Sequence, residues 1–145
     1  MKRHTLIDNS IINDHDYCVT IGTDIGQFKG VAKCRPEDYK NESKYFGWEL
    51  AEIKAEIEYA RAKRKHYEAE LKALTDFWRD MANTRTYDID AYWVKKMRKK
   101  IDAVSEQREY WANQVNALKD AYHVNIVTFD ALNSRIKRCE DYNND

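Results

Sequence analysis

The chain has 145 residues, of which 43% are hydrophobic and 34% are charged. This length favours a single domain, 1–145, and the hydrophobic share excludes an intrinsically disordered chain. The 25 basic and 25 acidic residues cancel at neutral pH. A uniformly basic nucleic-acid binder is therefore excluded, whereas a local basic patch is compatible with the composition.

Nothing in the cysteines, histidines or apolar segments indicates a cofactor or a membrane. The three cysteines, Cys18, Cys34 and Cys139, are odd in number and widely spaced, so they form neither a disulfide framework nor a CxxC metal motif. The four histidines show no paired metal-binding spacing, and we predict no metal and no other cofactor. The start of the chain is polar, and no stretch reaches the roughly 20 apolar residues of a membrane span. We therefore expect a cytoplasmic protein that does not bind membranes.

Residues 1–35 are predicted to form a β-hairpin region. Apolar and polar side chains alternate over 17–33, interrupted by the turn sequence Thr23-Asp24-Ile25-Gly26. Gly30 within the second strand indicates either that a neighbouring segment approaches closely there or that the strand has a β-bulge. Two strands alone are marginally stable, so the hairpin is expected to pack on helices. The polar residues before it, 1–16, are expected to be mobile apart from a short strand.

Two long segments carry apolar side chains at alternating spacings of four and three residues. The first runs from Phe46 to Met81 and the second from Val94 to Tyr122. This rhythm keeps one side of each helix against a partner, as in a coiled coil. Pro36 favours a helix start because proline fits the first helical position. The predicted helices cover 36–83, 89–122 and 128–141.

The predicted fold is mainly α, within the α+β class. An N-terminal β-hairpin packs on a long antiparallel coiled-coil helical hairpin, and a short C-terminal helix folds back towards the start of the first helix. A break of the first helix near 41–43 is compatible with the same fold. Matching the two seams brings Arg64 beside Trp111 and Arg108 beside Tyr67, where cation–π pairs are expected.

Aromatic and basic side chains gather where the two long helices are predicted to meet. A two-helix seam cannot bury so many rings, and exposed aromatics are typical of protein-binding surfaces. A second copy of the chain that covers the rings, in a homodimer, is the other interpretation. Five basic residues within 95–100 oppose the helix dipole, and they form either a solvated face or a patch for an acidic partner. The predicted partner-binding residues are Phe77, Tyr87, Tyr92, Trp93, Lys95, Lys96 and Lys99.

Residues 125–138 resemble the second half of a helix-turn-helix DNA reader. Thr128 is placed as the cap after a turn, and polar and basic side chains follow it on the helix. The preceding helix would be the long arm of the hairpin, which departs from the compact motif, so a helix that only caps the fold is the other interpretation. The alternative nucleic-acid-binding residues are Ser134, Arg135, Lys137 and Arg138.

No catalytic signature stands out, and we predict that the protein is not an enzyme. The first helix has an acidic side formed by Glu49, Glu52, Glu56 and Glu58. Acid–base catalysis needs a pocket that shifts carboxyl pKa values, and the surface of two helices offers none. We therefore interpret these glutamates as a solvated face. Nucleophile motifs and glycine-rich phosphate loops are absent from the sequence.

One run of the sequence resembles a group of small phage and prophage proteins. It reads Phe28-Lys29-Gly30-Val31-Ala32-Lys33-Cys34-Arg35-Pro36-Glu37-Asp38, and it is followed by Glu42-Ser43, Gly47, Ala51 and Lys54-Ala55. In that group a strand ending in Ala-Lys-Cys and a Pro-Glu-Asp helix start lead into a long helical hairpin. The resemblance covers residues 17–85, and it implies a fold without implying any chemistry.

The same resemblance implies an accessory role in a phage. Small phage proteins of this build often act as stoichiometric inhibitors of host defence, and anti-CRISPR proteins are among them. The leading hypothesis is therefore a non-enzymatic inhibitor that binds a host effector protein, such as a CRISPR nuclease, in the host cytoplasm. A DNA-binding accessory or regulatory protein is the alternative, with nucleic acid as the secondary partner. A purely structural oligomeric hairpin is the third hypothesis.

Overall fold

The computed structural model describes residues 4–83 and 91–143. The mainly α architecture in the α+β class is confirmed, since a small antiparallel sheet precedes two long helices. The elements are strands β1 (Thr5–Ile12), β2 (Asp16–Thr23) and β3 (Gly26–Lys33), a 3₁₀ helix (Pro36–Asn41), and helices α1 (Lys44–Asn83) and α2 (Ala91–Asn143). Residues 84–90, which include the predicted contact residue Tyr87, lie outside the described residues.

The N-terminal sheet has three strands in the order β1-β2-β3, so the predicted two-stranded hairpin was incomplete. β2 and β3 pair up to Thr23 opposite Gly26, which confirms the predicted turn. The segment before the hairpin, where a short strand was expected beside a mobile start, forms β1, which pairs antiparallel with β2. The sequence pattern did not give the extent or pairing of this strand, because most of its side chains are exposed, the apolar ones included. The available signal was Asn13-Asp14, whose φ angles of 52° and 66° form the connecting turn.

By its contacts the chain divides into two compact units, and both long helices contribute to each. Unit 1 comprises Met1–Tyr59 and Asn116–Asp145, and unit 2 comprises Ala60–Val115. The single-domain assignment stays a prediction, because a division by contacts does not show whether the units fold independently.

The two helices run antiparallel in each unit, as predicted. In unit 1, Phe46 of α1 packs on Phe129 of α2, with 5.0 Å between ring centroids. Further along α1, Lys54 Nζ lies 5.4 Å from the ring centroid of Tyr122. Each contact moves forward along α1 as it moves back along α2, which defines an antiparallel pair. The corresponding contacts of unit 2 are Lys63 with Trp111 and Trp78 with Trp93.

The cation–π contacts of the helix seam involve a different cation from the predicted ones. Lys63 Nζ lies 5.5 Å from the ring centroid of Trp111 and 5.8 Å from that of Tyr67. Arg64 forms a 3.7 Å ion pair within α1 instead, and Arg108 is exposed. The predicted arginine pairs were therefore wrong. The long lysine stem reaches both rings from a neighbouring position, so the spacing alone did not identify the cation.

Helix α2 is continuous, so the separate helices predicted over 89–122 and 128–141 were wrong. The polar residues taken as a turn and a cap instead hydrogen-bond to their own helix. Asn125 Nδ2 and Thr128 Oγ1 donate to the carbonyl oxygens four residues earlier, at 2.9 and 2.8 Å. These side chains can compete with the helix backbone, but here the helix itself supplies their acceptors.

The predicted first helix over 36–83 is divided near its start. Pro36–Asn41 forms a 3₁₀ helix, and α1 begins only at Lys44. Ser43 caps α1, since its Oγ accepts a hydrogen bond from the backbone N–H of Phe46 at 3.4 Å. The break therefore falls within 41–43, as the alternative placement of the helix start allowed.

The core of unit 1 lies between the sheet and one side of α1. β3 packs so closely on α1 that a β-carbon at Gly30 would lie 2.0 Å from the Ala51 carbonyl oxygen. The close approach predicted at Gly30 is thus confirmed. At Gly47 of α1 a β-carbon would lie 2.4 Å from the ring of Tyr17, so the strand and helix meet there as well. The buried apolar side chains of this unit are Tyr17, Val19, Ile21, Ala32, Ala51, Ile53, Ala55, Ile57 and Tyr59.

The described part of unit 2 is a helix pair with a narrow buried seam. Its buried side chains are Ala60, Val104, Trp111 and Val115. Most other described side chains of this unit are half-buried or exposed. A seam of this width leaves much of both helices accessible to solvent or to a partner.

Candidate functional site

The residues predicted to bind a partner lie in unit 2, at the end of α1 and the start of α2. Trp93 is central to them. Its ring centroid lies 6.3 Å from that of Trp78, at an interplanar angle of 17°, and 6.2 Å from that of Phe77. A groove of about 380 Å³ opens beside these rings. We name it the aromatic–basic groove, and its lining residues are Leu74, Phe77, Trp93, Lys96, Met97 and Lys100.

Helical spacing explains why these residues share a groove. Trp93, Lys96 and Lys100 recur at intervals of three and four residues, which places them on one face of α2. Leu74 and Phe77 stand three residues apart on α1. The groove therefore combines apolar surface with two ammonium groups. Lys100 was not among the predicted contact residues, although the same spacing pointed to it.

Of the predicted partner-binding residues that the structure describes, all except Trp93 have exposed side chains. Phe77 is 49% exposed and Tyr92 is 71% exposed, whereas Trp93 is half-buried. The exposed lysines are Lys95, Lys96 and Lys99. Three predicted residues stand outside the groove lining, namely Tyr92, Lys95 and Lys99. They follow one another at helical spacing and form a strip on α2 beside it.

The alternative hypothesis of nucleic-acid binding rested on a helix-turn-helix motif, and this motif is not formed. Helix α2 passes without interruption through the position of the predicted turn. The predicted turn before a recognition helix was therefore wrong. Ser134 and Arg135 are exposed, and Ser134 Oγ donates to a carbonyl oxygen one helical turn earlier at 3.0 Å. The side chains of Lys137 and Arg138 lie outside the described part of the chain.

Unit 1 contains a cavity that the sequence did not predict. We name it the unit 1 cavity; its volume is about 270 Å³, and β2, β3, the segment leading into α1, α1 and α2 all contribute to it. Its apolar lining includes Ala32, Phe46, Leu50, Ile126 and Phe129. Its polar lining includes Tyr17, Lys33, Cys34, Arg35, Asp38, Glu42, Ser43 and Asp130. Apolar walls with a few convergent polar groups are typical of small-molecule sites.

Four of the side chains that line this cavity have shifted pKa values, namely Tyr17, Cys34, Arg35 and Glu42. Burial raises the pKa of Tyr17 to about 12 and the pKa of Cys34 to about 11, and the nearby Glu42 carboxylate adds to both shifts. A hydrogen bond from His15 holds the pKa of Glu42 below its usual range. Perturbed groups cluster at functional sites, and they also occur in purely structural networks.

Arg35 also lines the cavity, and two carboxylates neutralise it. Its Nε donates to Asp38 Oδ2 and its Nη2 donates to Asp130 Oδ1, both at 2.9 Å. The hydrogen bond to Asp38 raises the pKa of the guanidinium. Because the Arg35 side chain is 55% exposed, solvent screens these pairs and they add little stability. Because both carboxylates pair with it, Arg35 does not provide a free positive charge for an anionic ligand.

The side chains of His15, just before β2, and Tyr17, near the start of β2, shape the polar part of the cavity. His15 Nδ1 donates to Glu42 Oε1 at 2.9 Å, and its ring stacks on Tyr39 with 3.5 Å between centroids. Tyr17 is only 1% exposed, and its hydroxyl makes no well-formed hydrogen bond within the described residues, with the Glu42 carboxylate as its nearby acceptor. Leaving a buried hydroxyl unsatisfied costs about 1–3 kcal/mol. Such a group indicates that a ligand or an ordered water belongs in the cavity.

A cluster of one histidine and two glutamates, which the sequence pattern also did not predict, links His4 before β1 to α1. His4 Nε2 lies 3.0 Å from Glu52 Oε1 and 3.2 Å from Glu56 Oε1. The interpretation of these two glutamates as a solvated face was therefore wrong, because both are half-buried. The three groups are of the kind that hold a divalent cation, and they serve equally as an ion pair between the two elements. No local sequence pattern indicates this cluster, because His4 and Glu52 stand 48 residues apart.

Comparisons with known proteins identify no relative. No protein-family model, curated protein or solved structure matches the chain. In the described ranges, neither long helix contains an apolar stretch of the kind that crosses a membrane. The geometry of the two candidate sites is therefore what bears on function.

Proposed function

We propose that the protein is a non-enzymatic binding protein that docks on an acidic surface of a partner protein. The docking surface is the aromatic–basic groove together with the adjacent strip of Tyr92, Lys95 and Lys99. The observation that carries the proposal is the coincidence of exposed aromatic rings with a dense group of basic side chains on the first turns of α2.

Charge decides which kind of partner fits the surface. All five basic residues within 95–100 are exposed, although the chain as a whole carries no net charge. A local positive patch steers association towards a negative surface. The patch lies near the start of a helix, where cations oppose the helix dipole. Helix stability therefore does not account for it, and recognition of an acidic partner does.

The aromatic rings supply the apolar contact area. Phe77 and Tyr92 are exposed, and each has a large surface to remove from water on binding. Transfer of apolar surface out of water contributes about 25 cal/mol per Å². Trp93 packs on Trp78 beside them and fixes the position of the first turn of α2. Aromatic residues on such a pre-formed surface are typical energetic centres of protein interfaces.

The more specific part of the proposal is a phage-type inhibitor of a host defence effector such as a CRISPR nuclease. The sequence resemblance over residues 17–85 supports this part. A basic docking surface would not enter the positively charged nucleic-acid channel of such a nuclease. It fits an acidic patch on the outside of the effector, so inhibition would come from blocking a partner or a movement.

Charge reversal in the groove tests the proposal. We expect the unmodified protein to bind at least one purified CRISPR nuclease of a panel and to suppress its guided DNA cleavage at stoichiometric amounts. Combining Lys96→Glu with Lys100→Glu should weaken this binding roughly 100-fold, since like charges would then face each other. Combining Lys65→Glu with Lys72→Glu, at two exposed lysines of α1 in the same unit, is the matched control and should leave binding unchanged.

Four results would overturn parts of the proposal. Equal loss of binding in both double variants would remove the groove as the docking surface. Salt-sensitive binding of double-stranded DNA, lost on Lys96→Glu with Lys100→Glu, would assign the surface to nucleic acid instead. A concentration-dependent dimer mass in light scattering, lost in the same variant, would assign it to a second copy of the chain. If no CRISPR nuclease of the panel binds, the proposed inhibitor role is wrong.

A further inference from the structure

The unit 1 cavity has two chemically distinct parts. Its apolar part is formed by side chains of α1 and α2, among them Phe46, Ile126 and Phe129. Its polar part is formed by the sheet and by the segment before α1, with Tyr17, Cys34 and Glu42. A ligand that fits both parts must be small, given the volume of about 270 Å³, and must carry one polar end on an apolar body.

The Tyr17 hydroxyl is available to hydrogen-bond to the polar end of the ligand. This residue is 1% exposed, and its hydroxyl makes no well-formed hydrogen bond within the described residues, although the Glu42 carboxylate lies close enough to act on it as an acceptor. Buried polar groups are almost always satisfied, so a missing partner in a cavity wall points to a bound molecule. A hydroxyl accepts as well as donates hydrogen bonds, so it does not select the charge of the ligand. The charged groups next to Tyr17 make that selection.

The neighbours of Tyr17 favour a positive charge. Glu42 has its carboxylate beside the tyrosine, and the hydrogen bond from His15 keeps it ionised. Arg35 contributes no free positive charge, because Asp38 and Asp130 hold it in ion pairs. Lys33 also lines the cavity with an exposed side chain, but it is not among the groups that act on Tyr17. Beside Tyr17 an anionic group would therefore meet the Glu42 carboxylate, whereas an ammonium group would donate hydrogen bonds to Glu42 and Tyr17.

We propose that the unit 1 cavity binds a small organic ammonium ion, with its apolar body among Phe46, Leu50, Ile126 and Phe129 and its ammonium group between Glu42 and the Tyr17 hydroxyl. This inference is independent of the aromatic–basic groove, because the cavity and the groove share no residue. It assigns a ligand-binding site to unit 1 whatever partner binds unit 2.

The experiment uses three probes of the same shape and different charge. 2-Phenylethylammonium is titrated into the full-length protein, and 2-phenylethanol and 3-phenylpropionate are titrated in parallel. Calorimetry measures the affinity, and amide chemical shifts at Ala32 and Gly47 report whether the probe enters this cavity. We expect the ammonium to bind, the alcohol to bind roughly tenfold more weakly, and the carboxylate not to bind.

Two variants and one control assign the binding to the proposed groups. Glu42→Gln should weaken the ammonium roughly tenfold or more and reduce its advantage over the alcohol. Tyr17→Phe keeps the ring that packs on Gly47 and should weaken the ammonium several-fold while leaving the fold intact. Glu109→Gln, at an exposed glutamate of unit 2, should change nothing.

Any of several results would overturn the inference. Absence of ammonium binding at millimolar concentration would mean that the cavity holds only water. Equal binding of the ammonium and the carboxylate would show that charge does not select the ligand. An unchanged affinity in Tyr17→Phe, whose fold is verified by its amide spectrum, would remove the hydroxyl from the site even if Glu42→Gln fails to fold.

Discussion

At the scale of single residues, burial in unit 1 sets the reactivity of Cys34. Burial and then Glu42 raise the pKa of this thiol to about 11, against an ordinary value of 9.0. Its thiolate fraction at neutral pH is then about 100-fold smaller than that of an exposed thiol, and the thiolate is the form that reacts. Alkylation by iodoacetamide should be slower than that of N-acetylcysteine by about the same factor.

Mass spectrometry that resolves the modified cysteines measures this rate. Removing the carboxylate in Glu42→Gln should accelerate the reaction, because Glu42 is one cause of the raised pKa. The acceleration should be partial, since burial is the larger cause. An alkylation rate equal to that of N-acetylcysteine in the unmodified protein would contradict the described environment of Cys34.

The Glu42 carboxylate makes the stability of the fold depend on pH in a defined direction. The hydrogen bond from His15 lowers its folded-state pKa below the ordinary value of 4.5. A lowered carboxyl pKa stabilises the folded state above pH 4.5, and this contribution is lost as the pH falls through the folded-state pKa. The destabilisation caused by Glu42→Gln should therefore be largest at neutral pH and should shrink in acid.

Urea unfolding at a series of pH values measures this effect as the difference in unfolding free energy between Glu42→Gln and the unmodified protein. Glu109→Gln is the control, because this glutamate is exposed in unit 2. Its difference should be small at every pH. A difference for Glu42→Gln that stays constant through the acidic range would show that the carboxylate is not stabilised by His15.

At the scale of the elements, the continuity of α2 is the feature that separates this structure from the sequence prediction. Val127 lies within the stretch where a connector was predicted, and its side chain is 51% exposed. In a helix interior, Val127→Pro removes a backbone hydrogen bond and clashes with the preceding turn, which costs about 3 kcal/mol. In an exposed connector the same change would cost little.

Val127→Ala is the matched control, because it removes the same exposed side chain and keeps the backbone N–H. It should change the unfolding free energy by at most about 0.5 kcal/mol. Urea unfolding followed by far-UV circular dichroism compares the two variants. Equal stability of Val127→Pro and Val127→Ala would restore the predicted turn, and with it the helix-turn-helix interpretation.

The elements also show why part of the fold was predictable and part was not. Spacing of apolar residues identified α1 and the antiparallel pairing of the helices, because a buried seam must repeat with the helical turn. The length of β1 and its pairing with β2 were not predicted, because an exposed edge strand has no alternating burial. A break in α2 was wrongly predicted because Asn and Thr are common at caps and turns, and only the structure shows Asn125 and Thr128 bonded to their own helix.

At the scale of the whole molecule, the two candidate sites differ in how far the sequence could reveal them. The aromatic–basic groove comes from residues that are close in sequence on each helix, so composition and helical spacing were enough to suggest it. The unit 1 cavity joins Tyr17, Cys34 and Glu42 with residues of α2 about 80 to 110 positions later. No local pattern connects such positions, and only the packing of the sheet on both helices brings them together.

The run that carries the resemblance to phage proteins has a packing role in this structure. Gly30 lets β3 touch the backbone of α1, and Gly47 accepts the ring of Tyr17. Ala32 and Cys34 from the same run line the unit 1 cavity. The resemblance therefore marks residues that build unit 1, whereas the proposed docking surface in unit 2 depends on residues outside this run.

The proposed docking surface is tested most directly by site-specific photo-cross-linking at two exposed tyrosines. Tyr92 and Tyr45 are 71% and 68% exposed, so replacing either by azidophenylalanine places the same reactive group at similarly accessible positions of unit 2 and unit 1. We expect a protein adduct in a lysate of CRISPR-carrying bacteria from position 92, competed away by the unmodified protein and not by the Lys96→Glu with Lys100→Glu variant. Position 45 should give none. The same adducts from both positions, or an adduct only from position 45, would contradict the account.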